Sequence, residues 1–389
     1  MTTSCAPLFV FGLARSGTNL ISRMLNGHPN VRIALDPLMP VFRDLRNAVH
    51  AAAPHTAPLA VSAPFEDYYF DSRATARLDA LLAGDCSLPI TTAKLEQLRA
   101  SVAERTSLES PELAARMEEL NGNTYHELLR SALNIISKFG PPVKWVGFKE
   151  VWIIDFIPLL ARAFPEARFY VIERDPRAIV ASLMSMAHRD STQAAHVPSY
   201  LRHWRKCLAL SRRYAANPEL ADRVRVVSYE SIVAEPEVLA RQWCSELEID
   251  FTPAMLRLSV DGWSGNSSFA HSGRDVYQGT VERWREYLSP AVITAAEFLC
   301  GAELALTNYH VESPASQPDG VVTSWLLDAA LSSGSWRSDS GDAVVDLGGE
   351  FLRRALLDVG NGARPELVRR CFLFSETLAA IQAARADVR

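Results

Sequence analysis

The chain has 389 residues, 48% hydrophobic and 22% charged, with a formal net charge of −5. That length and apolar fraction suit one large α/β domain with additions, and the acidic balance excludes a general nucleic-acid binder, which needs a basic face. Six scattered cysteines with no CxxC pair exclude a disulfide framework or a cysteine-built zinc site and fit reduced thiols.

The first element is Leu8–Phe11, a continuous apolar run patterned as a strand buried on both faces. Gly12 ends it, and from Thr18 to Leu25 the residues Leu20, Ile21, Met24 and Leu25 share one helical face. Between them lies GLARSGTN, Gly12–Asn19. A strand, a glycine-flanked loop and a helix N-terminus in that order point backbone N–H groups and the positive end of a helix at an anion. A Walker A loop carries Lys and then Ser or Thr after its second glycine. Here Gly17 is followed by Thr18 and Asn19, and the cation is Arg15, inside the loop, with a planar fork of donors. Taken alone, the loop fits an anion site and an ordinary strand–helix turn equally well.

Asn26–Asn30 is a turn cluster, and Val31–Leu35 leads to Asp36-Pro37. From about 38 to 142 the pattern changes to a helical insert. Within it, Ala51–Pro64 is an Ala- and Pro-rich loop, and Phe65–Phe70 is an aromatic, acidic stretch that reads as a solvated loop, with a face of the ligand site as the alternative. Leu78–Leu82, Lys94–Glu104 and Pro111–Leu120 read as polar helices, and Tyr125–Phe139 as an amphipathic one. The sheet resumes at Val143–Phe148, ending in Lys149-Glu150, and Trp152–Phe164 is expected to be an apolar helix.

Arg168–Arg174 is a further apolar strand ending in Arg174. Asp175-Pro176-Arg177 then opens a helix with Pro at its first position and Ser182 near its start. This is a second candidate anion site, and two on one sheet suit a ligand with two separated phosphate-like groups. A long helix at Ser199–Ala215, a strand at Val224–Val227, a helix at Pro236–Leu247, and Trp284–Leu288 with Pro290–Leu306 complete the core. Strands alternating with helices predict a parallel sheet flanked by helices, with a P-loop-like start. Ligands bind such sheets at the strands' carboxyl ends, where Arg15, Lys149, Arg174 and Tyr229 fall. The expected division is a domain over 1–310, a linker over 311–320 and a mostly helical extension over 321–389. That extension is expected to pack on the core or a second subunit rather than form the active site, with homodimerisation or carrier recognition as its other roles.

GLARSGTNLISRML resembles the 5′-phosphosulfate loop of sulfotransferases that use 3′-phosphoadenosine 5′-phosphosulfate (PAPS), and VIERDPRAIVASLMS resembles their 3′-phosphate motif. VRVVSYESIVAEPEVLARQWCSELEI is similar to the family's Tyr-Glu-x-Leu segment, and YQGTVERWREYLS to its late Gly-x-x-x-x-Trp segment. The likeness runs from about Pro7 to Tyr309, outside the insert, and favours the Arg-Ser-Gly-Thr branch that includes tyrosylprotein, carbohydrate and bacterial enzymes. It implies PAPS as donor, 3′-phosphoadenosine 5′-phosphate (PAP) as product, and no metal. It implies that Arg15, Ser16, Gly17, Thr18 and Asn19 hold the 5′-phosphosulfate, that Arg174, Ser182 and Arg283 hold the 3′-phosphate, and that Tyr229 reaches the adenine. Asp36 stands at the separation of the family's catalytic carboxylate, with His28 as a competing base. Lys149 matches its catalytic Lys, and Ser267 or Ser268 its late Ser. The implied acceptor is a hydroxyl, or less readily an amine, on a small molecule, carrier or glycolipid. No signal segment or spanning run is visible, and the cofactor loop starts too near the N-terminus for an expected anchor, so a cytoplasmic location is expected. The competing readings are a P-loop small-molecule kinase and a noncatalytic nucleotide-binding scaffold. Trp204, Trp243 and Trp284 are expected in the core.

Overall fold

The computed structural model describes residues 5–189, 196–257, 281–313, 318–336, 347–359 and 362–387. Its centre is a five-stranded, wholly parallel sheet in the order β2-β3-β1-β4-β5. The strands are β1 (Ala6–Gly12), β2 (Val31–Leu35), β3 (Trp145–Val151), β4 (Arg168–Glu173) and β5 (Val224–Ser228). Alternate side chains of β1 feed opposite faces: Phe9 and Phe11 enter one apolar cluster, Leu8 and Val10 the other. A strand at the middle of a sheet with both faces covered must read as an unbroken apolar run, as Leu8–Phe11 does. The Phe9 ring meets Phe148 at 4.6 Å and Phe169 at 5.4 Å, which ties β3 and β4 to the centre on one face.

The connection from β1 runs through α1 (Thr18–Asn26) to β2, leaving a gap that β3 fills. Between β2 and β3 lies the insert, with α2 (Met39–Ala52), α3 (Ser72–Ala83), α4 (Thr92–Ser107), α5 (Pro111–Met117) and α6 (Tyr125–Ser137). Three of these start on a side-chain cap: Asp71, Thr91 and Thr124 each accept from a backbone N–H of the first turn. After β3 come α7 (Ile157–Ala163), α8 (Pro176–Arg189) and α9 (Val197–Ala216). Then follow α10 (Tyr229–Ala234), α11 (Pro236–Glu246), α12 (Trp284–Tyr287) and α13 (Pro290–Leu304). Trp204, Trp243 and Trp284 are all buried, as their helical spacing requires.

Three local expectations change. Residues 39–52, inside the expected helical insert but given no helix of their own, form α2, with Val41, Phe42, Leu45 and Val49 as its buried stripe. The stretch from Trp152 is not one helix: β3 runs on to Val151, Trp152 turns left-handed at φ 75°, and α7 begins only at Ile157. Phe65–Phe70 is not solvated, since Phe65, Tyr68 and Tyr69 are buried and the Tyr68 hydroxyl donates to Asp155. Unbroken hydrophobicity cannot separate a buried strand from a buried helix, and aromatic rings beside acids look soluble until their partners are known.

The extension comprises α14 (Pro318–Leu327), α15 (Leu347–Asp358), α16 (Pro365–Phe372) and α17 (Ser375–Asp387), so α14 begins inside the stretch expected as linker. It is fastened to α9 and α13 by two buried ion pairs, Arg205–Glu350 and Arg353–Glu303, and to α3 by Arg369–Asp79.

Burial also fixes the acid limit of the fold. His203 is lowered to about 3 by burial and by the charge of Lys206, and His50 to about 4 by burial and by Arg77 and Arg46. Both rings are neutral in the native state but take up protons near pH 6.5 when unfolded. The unfolded state therefore binds more protons below that point. The stability that the neutral rings contribute is fully present above about pH 6.5 and is lost as the pH falls through the window toward about 3. Between pH 7 and pH 5 the urea midpoint of the His50→Gln/His203→Gln double variant should lose less than that of the unsubstituted chain. That difference stands apart from the opposite contribution of Glu150, whose burial-raised pKa stabilises the fold as the pH falls. Equal slopes would remove these histidines from the acid response.

Candidate functional site

The site is assembled from the carboxyl ends of all five strands. The loop after β1 places Arg15 at φ 72° and Gly17 at φ 101°, both left-handed. Gly17 is required twice. Its backbone favours glycine, and a Cβ there would lie 2.3 Å from Cδ2 of Tyr229. Ser16 is buried, and its Oγ has no hydrogen-bond partner among the described residues. The same holds for the buried Oδ1 of Asn19. The helix α1 that follows carries no side-chain cap at its N-terminus.

The loop is bonded directly to the motif after β4. Arg15 Nε donates to Ser182 Oγ at 2.8 Å, and Arg174 Nη1 donates to the Arg15 carbonyl at 3.0 Å. The Arg174 guanidinium lies over the Tyr229 ring, 4.1 Å from its centroid, and Trp204 Nε1 holds the Arg174 carbonyl at 2.9 Å. Tyr229, at the start of α10, is thus wedged between Gly17 and Arg174 and packs the two motifs together. Next to it, Glu230 accepts the Asp175 N–H at 3.1 Å and the Tyr309 hydroxyl. Arg283 opens α12, whose buried Trp284 lies 4.1 Å beneath Arg177 of α8, so Arg283 enters beside the helix that carries Ser182. A sequence separation of 167 residues between Arg15 and Ser182 is closed to one hydrogen bond. This set of guanidinium, hydroxyl and helix-terminus donors fits a ligand with two anionic groups.

The second half of the site joins β2 and β3. Lys149, nearly fully buried near the end of β3, forms an ion pair and hydrogen bond through Nζ to Asp36 Oδ2. The Asp36 N–H donates to the Lys149 carbonyl at 2.8 Å, and Arg105 Nε donates to the Asp36 carbonyl at 3.2 Å. Asp36 is left-handed at φ 47°, buried, and its Oδ1 has no hydrogen-bond partner among the described residues. Arg15, Asp36 and Trp152, all non-glycine residues at positive φ, therefore sit at the ends of three neighbouring strands, where strained backbone concentrates at working sites.

Sequence reasoning missed Glu150. It is fully buried, accepts the Leu38 N–H, and has its pKa raised first by burial and then by the Asp36 charge. The only local signal was an acid next to a strand-end lysine, which is uninformative without knowing that both are buried. His28 goes elsewhere. It lies before β2, at the opposite end of the sheet, with Nε2 bonded to the Asp250 carbonyl at 2.6 Å and Nδ1 accepting the Asn30 N–H at 3.0 Å. Ser267 and Ser268 lie outside the described residues.

A cavity of about 1760 Å³ lies near this pair, although neither Asp36 nor Lys149 lines it. Val151, two residues after Lys149, and Arg105, bonded to Asp36, line it. Other wall residues are Met39 and Pro40 of α2, Ser101 of α4, the 61–71 loop, and Tyr200 and Arg202 of α9. Two residues of the extension, Leu347 and Gly348, also line it. Burial raises the pKa of Tyr200, which lines the cavity, and the Arg15 charge opposes that rise in part. Among the described residues no group of His, Cys, Asp or Glu could hold a metal ion, and no helix is long and apolar enough to cross a membrane.

A model of the sulfotransferase family matches residues 7–253, more than half of the chain, and the chain belongs to that family. It is 32% identical over 127 residues to Protein-tyrosine sulfotransferase 1 of Danio rerio, covering 32% of this chain and 35% of that protein. Over 253 residues it is 22% identical to Protein-tyrosine sulfotransferase of Drosophila melanogaster, covering 64% of this chain and 39% of that one. The chain thus spans well under half the length of these two curated relatives. The sulfotransferase domain from the curacin biosynthetic pathway aligns with a TM-score of 0.41 at 14% identity, over 84% of this chain and 98% of that domain.

Proposed function

We propose that the chain transfers the sulfuryl group of PAPS to a hydroxyl of an acceptor seated in the cavity. The observation that carries this reading is the direct bonding of the two anion motifs, Arg15 to Ser182 and Arg174 to the Arg15 carbonyl, at the same sheet end as the buried Asp36–Lys149 pair. A nucleotide with phosphate-like groups at two positions matches that spread of donors. Bound PAPS supplies the sulfuryl group, and the chain supplies the rest. Arg15, Ser16 and the start of α1 (Gly17, Thr18, Asn19) grip the 5′ side. Arg174, Ser182 and Arg283 grip the 3′-phosphate. Tyr229 braces both motifs and borders the adenine. Asp36, one oxygen held by Lys149, uses Oδ1 to take the acceptor proton. Lys149 and Arg15 stabilise negative charge on the departing phosphate oxygen.

The acceptor hydroxyl belongs to a small molecule, a carrier-bound intermediate or a glycolipid. The names of the Danio and Drosophila relatives add a tyrosyl phenol to the acceptors worth testing. All six cysteines are free, in keeping with a reducing, cytoplasmic setting.

The test of the nucleotide reading is thermal. PAP should raise the melting temperature by mass action, and AMP, which lacks the 3′-phosphate, should raise it far less at equal concentration. Equal stabilisation by AMP would sink the reading, because Arg174 and Ser182 would then have nothing to recognise. ATP with Mg²⁺ outperforming PAP would favour a kinase instead.

A further inference from the structure

We propose that the C-terminal extension forms a wall of the acceptor chamber and determines which acceptors fit. This rests on the assignment of the cavity to the acceptor. The family match ends at residue 253, so nothing in it speaks for the extension. Three observations do.

First, Leu347 and Gly348, at the start of α15, line the cavity directly. Second, the next residue lets the helix lie flat on an aromatic ring: a Cβ on Gly349 would come within 2.7 Å of Cδ1 and Cγ of Phe70, itself a cavity residue. Third, the extension holds the aromatic loop in shape. Phe70 N donates to the Arg370 carbonyl at 2.9 Å, and Arg370 returns bonds from Nη2 and Nε to the Phe70 carbonyl at 2.6 and 3.0 Å. Tyr68 and Phe70 both stand at left-handed φ, 68° and 66°, a conformation bulky residues keep only when their surroundings impose it. Arg205, paired with Glu350 of α15, lies 4.5 Å from the Tyr69 ring centroid.

The chamber's chemistry indicates its occupant. Among its charged residues, Lys94 pairs with Asp44 and Arg202 with Asp67. Phe65, Tyr69, Phe70, Trp152 and Tyr200 supply its rings. At about 1760 Å³ it exceeds the ~300–1,000 Å³ of ordinary small-ligand pockets. A bulky acceptor with an aromatic or otherwise apolar body suits those walls.

The test uses the full chain and 8-anilinonaphthalene-1-sulfonate as an aromatic probe, read by fluorescence, beside a calorimetric PAP titration. Leu347→Trp and Gly348→Leu narrow the chamber from the extension side, and Ser101→Trp narrows it from α4. All three should weaken the probe by about tenfold or more, and PAP affinity should stay within about twofold. The assignment is overturned in three cases: the wild type does not bind the probe, only Ser101→Trp weakens it, or PAP affinity falls in parallel in the extension variants. If PAP does not bind the wild type while the probe pattern holds, the nucleotide reading fails and the wall assignment stands.

Discussion

Asp36→Asn is expected to lower single-turnover sulfuryl transfer from PAPS by about 10²–10⁴-fold, the usual cost of losing a positioned base. PAP affinity should change by no more than about twofold, because a base facing the acceptor contributes little to the product nucleotide. The substitution is well suited to its position. Asn tolerates the left-handed backbone found at φ 47°, and its amide still meets Lys149, so the fold is disturbed little. Lys149→Ala is a different experiment. It deletes the charge proposed to face the leaving group and also leaves the buried Asp36 carboxylate without its ion-pair partner. Its loss should therefore contain that of Asp36→Asn, and the double variant should fall little below Lys149→Ala alone. Additive losses would show that the two act independently, contrary to their shared hydrogen bond. Near-normal transfer by Asp36→Asn would remove it as base. His28 could not replace it, since both its ring nitrogens are engaged at the far end of the sheet, and Glu150, buried beside Asp36, becomes the group to test.

What could be read from the sequence divides by the range of the contacts involved. The shape of the loop after β1 was legible because it lies in backbone geometry: a buried strand, a left-handed Gly17 and a helix start are all encoded within one short stretch. The Arg174 motif was legible for the same reason, with Pro176 marking the helix start. That Arg15 would bond to Ser182 follows from neither segment alone, although both lying at strand ends of one parallel sheet made their meeting expected. The acceptor side was far less legible. Phe65, Tyr69 and Phe70 look like a wet loop unless it is known that Arg205, Arg370 and α15 close over them. Trp152 reads as the start of an apolar helix because a left-handed turn between two buried apolar runs leaves no trace in hydrophobic pattern. That Leu347 and Gly348 of the extension would line the cavity was not legible, because position after a Pro- and Ser-rich stretch indicates separation along the chain and carries no information about distance in space.

The largest expected effect on stability belongs to the joint between the extension and the core. Glu350→Ala should destabilise the fold by about 3–5 kcal/mol, the typical cost of removing one partner from a buried ion pair. Arg205 is fully buried and bidentate to Glu350, with Nη1 to Oε2 at 2.6 Å and Nη2 to Oε1 at 2.8 Å. Its other contacts are the Leu299 carbonyl at 2.9 Å and the Tyr69 and Phe70 rings, and the nearby Glu303 carboxylate is already held by Arg353. The matched control is Glu376→Ala, which breaks an Arg213 pair on the same helix α9, where both side chains are about half exposed; exposed pairs contribute about 0–1 kcal/mol. Replacing both buried partners, as Arg205→Met with Glu350→Leu, should recover much of the loss, because the cost lies in stranding a charge. Recovery should stay incomplete, since methionine cannot bond the Leu299 carbonyl or stack as a cation on Tyr69. The measurement is the urea midpoint of the full chain for the four proteins. If Glu350→Ala shifts the midpoint no more than Glu376→Ala, the extension is not anchored through this pair. Its hold on the aromatic loop must then rest on the Arg370–Phe70 backbone contacts instead.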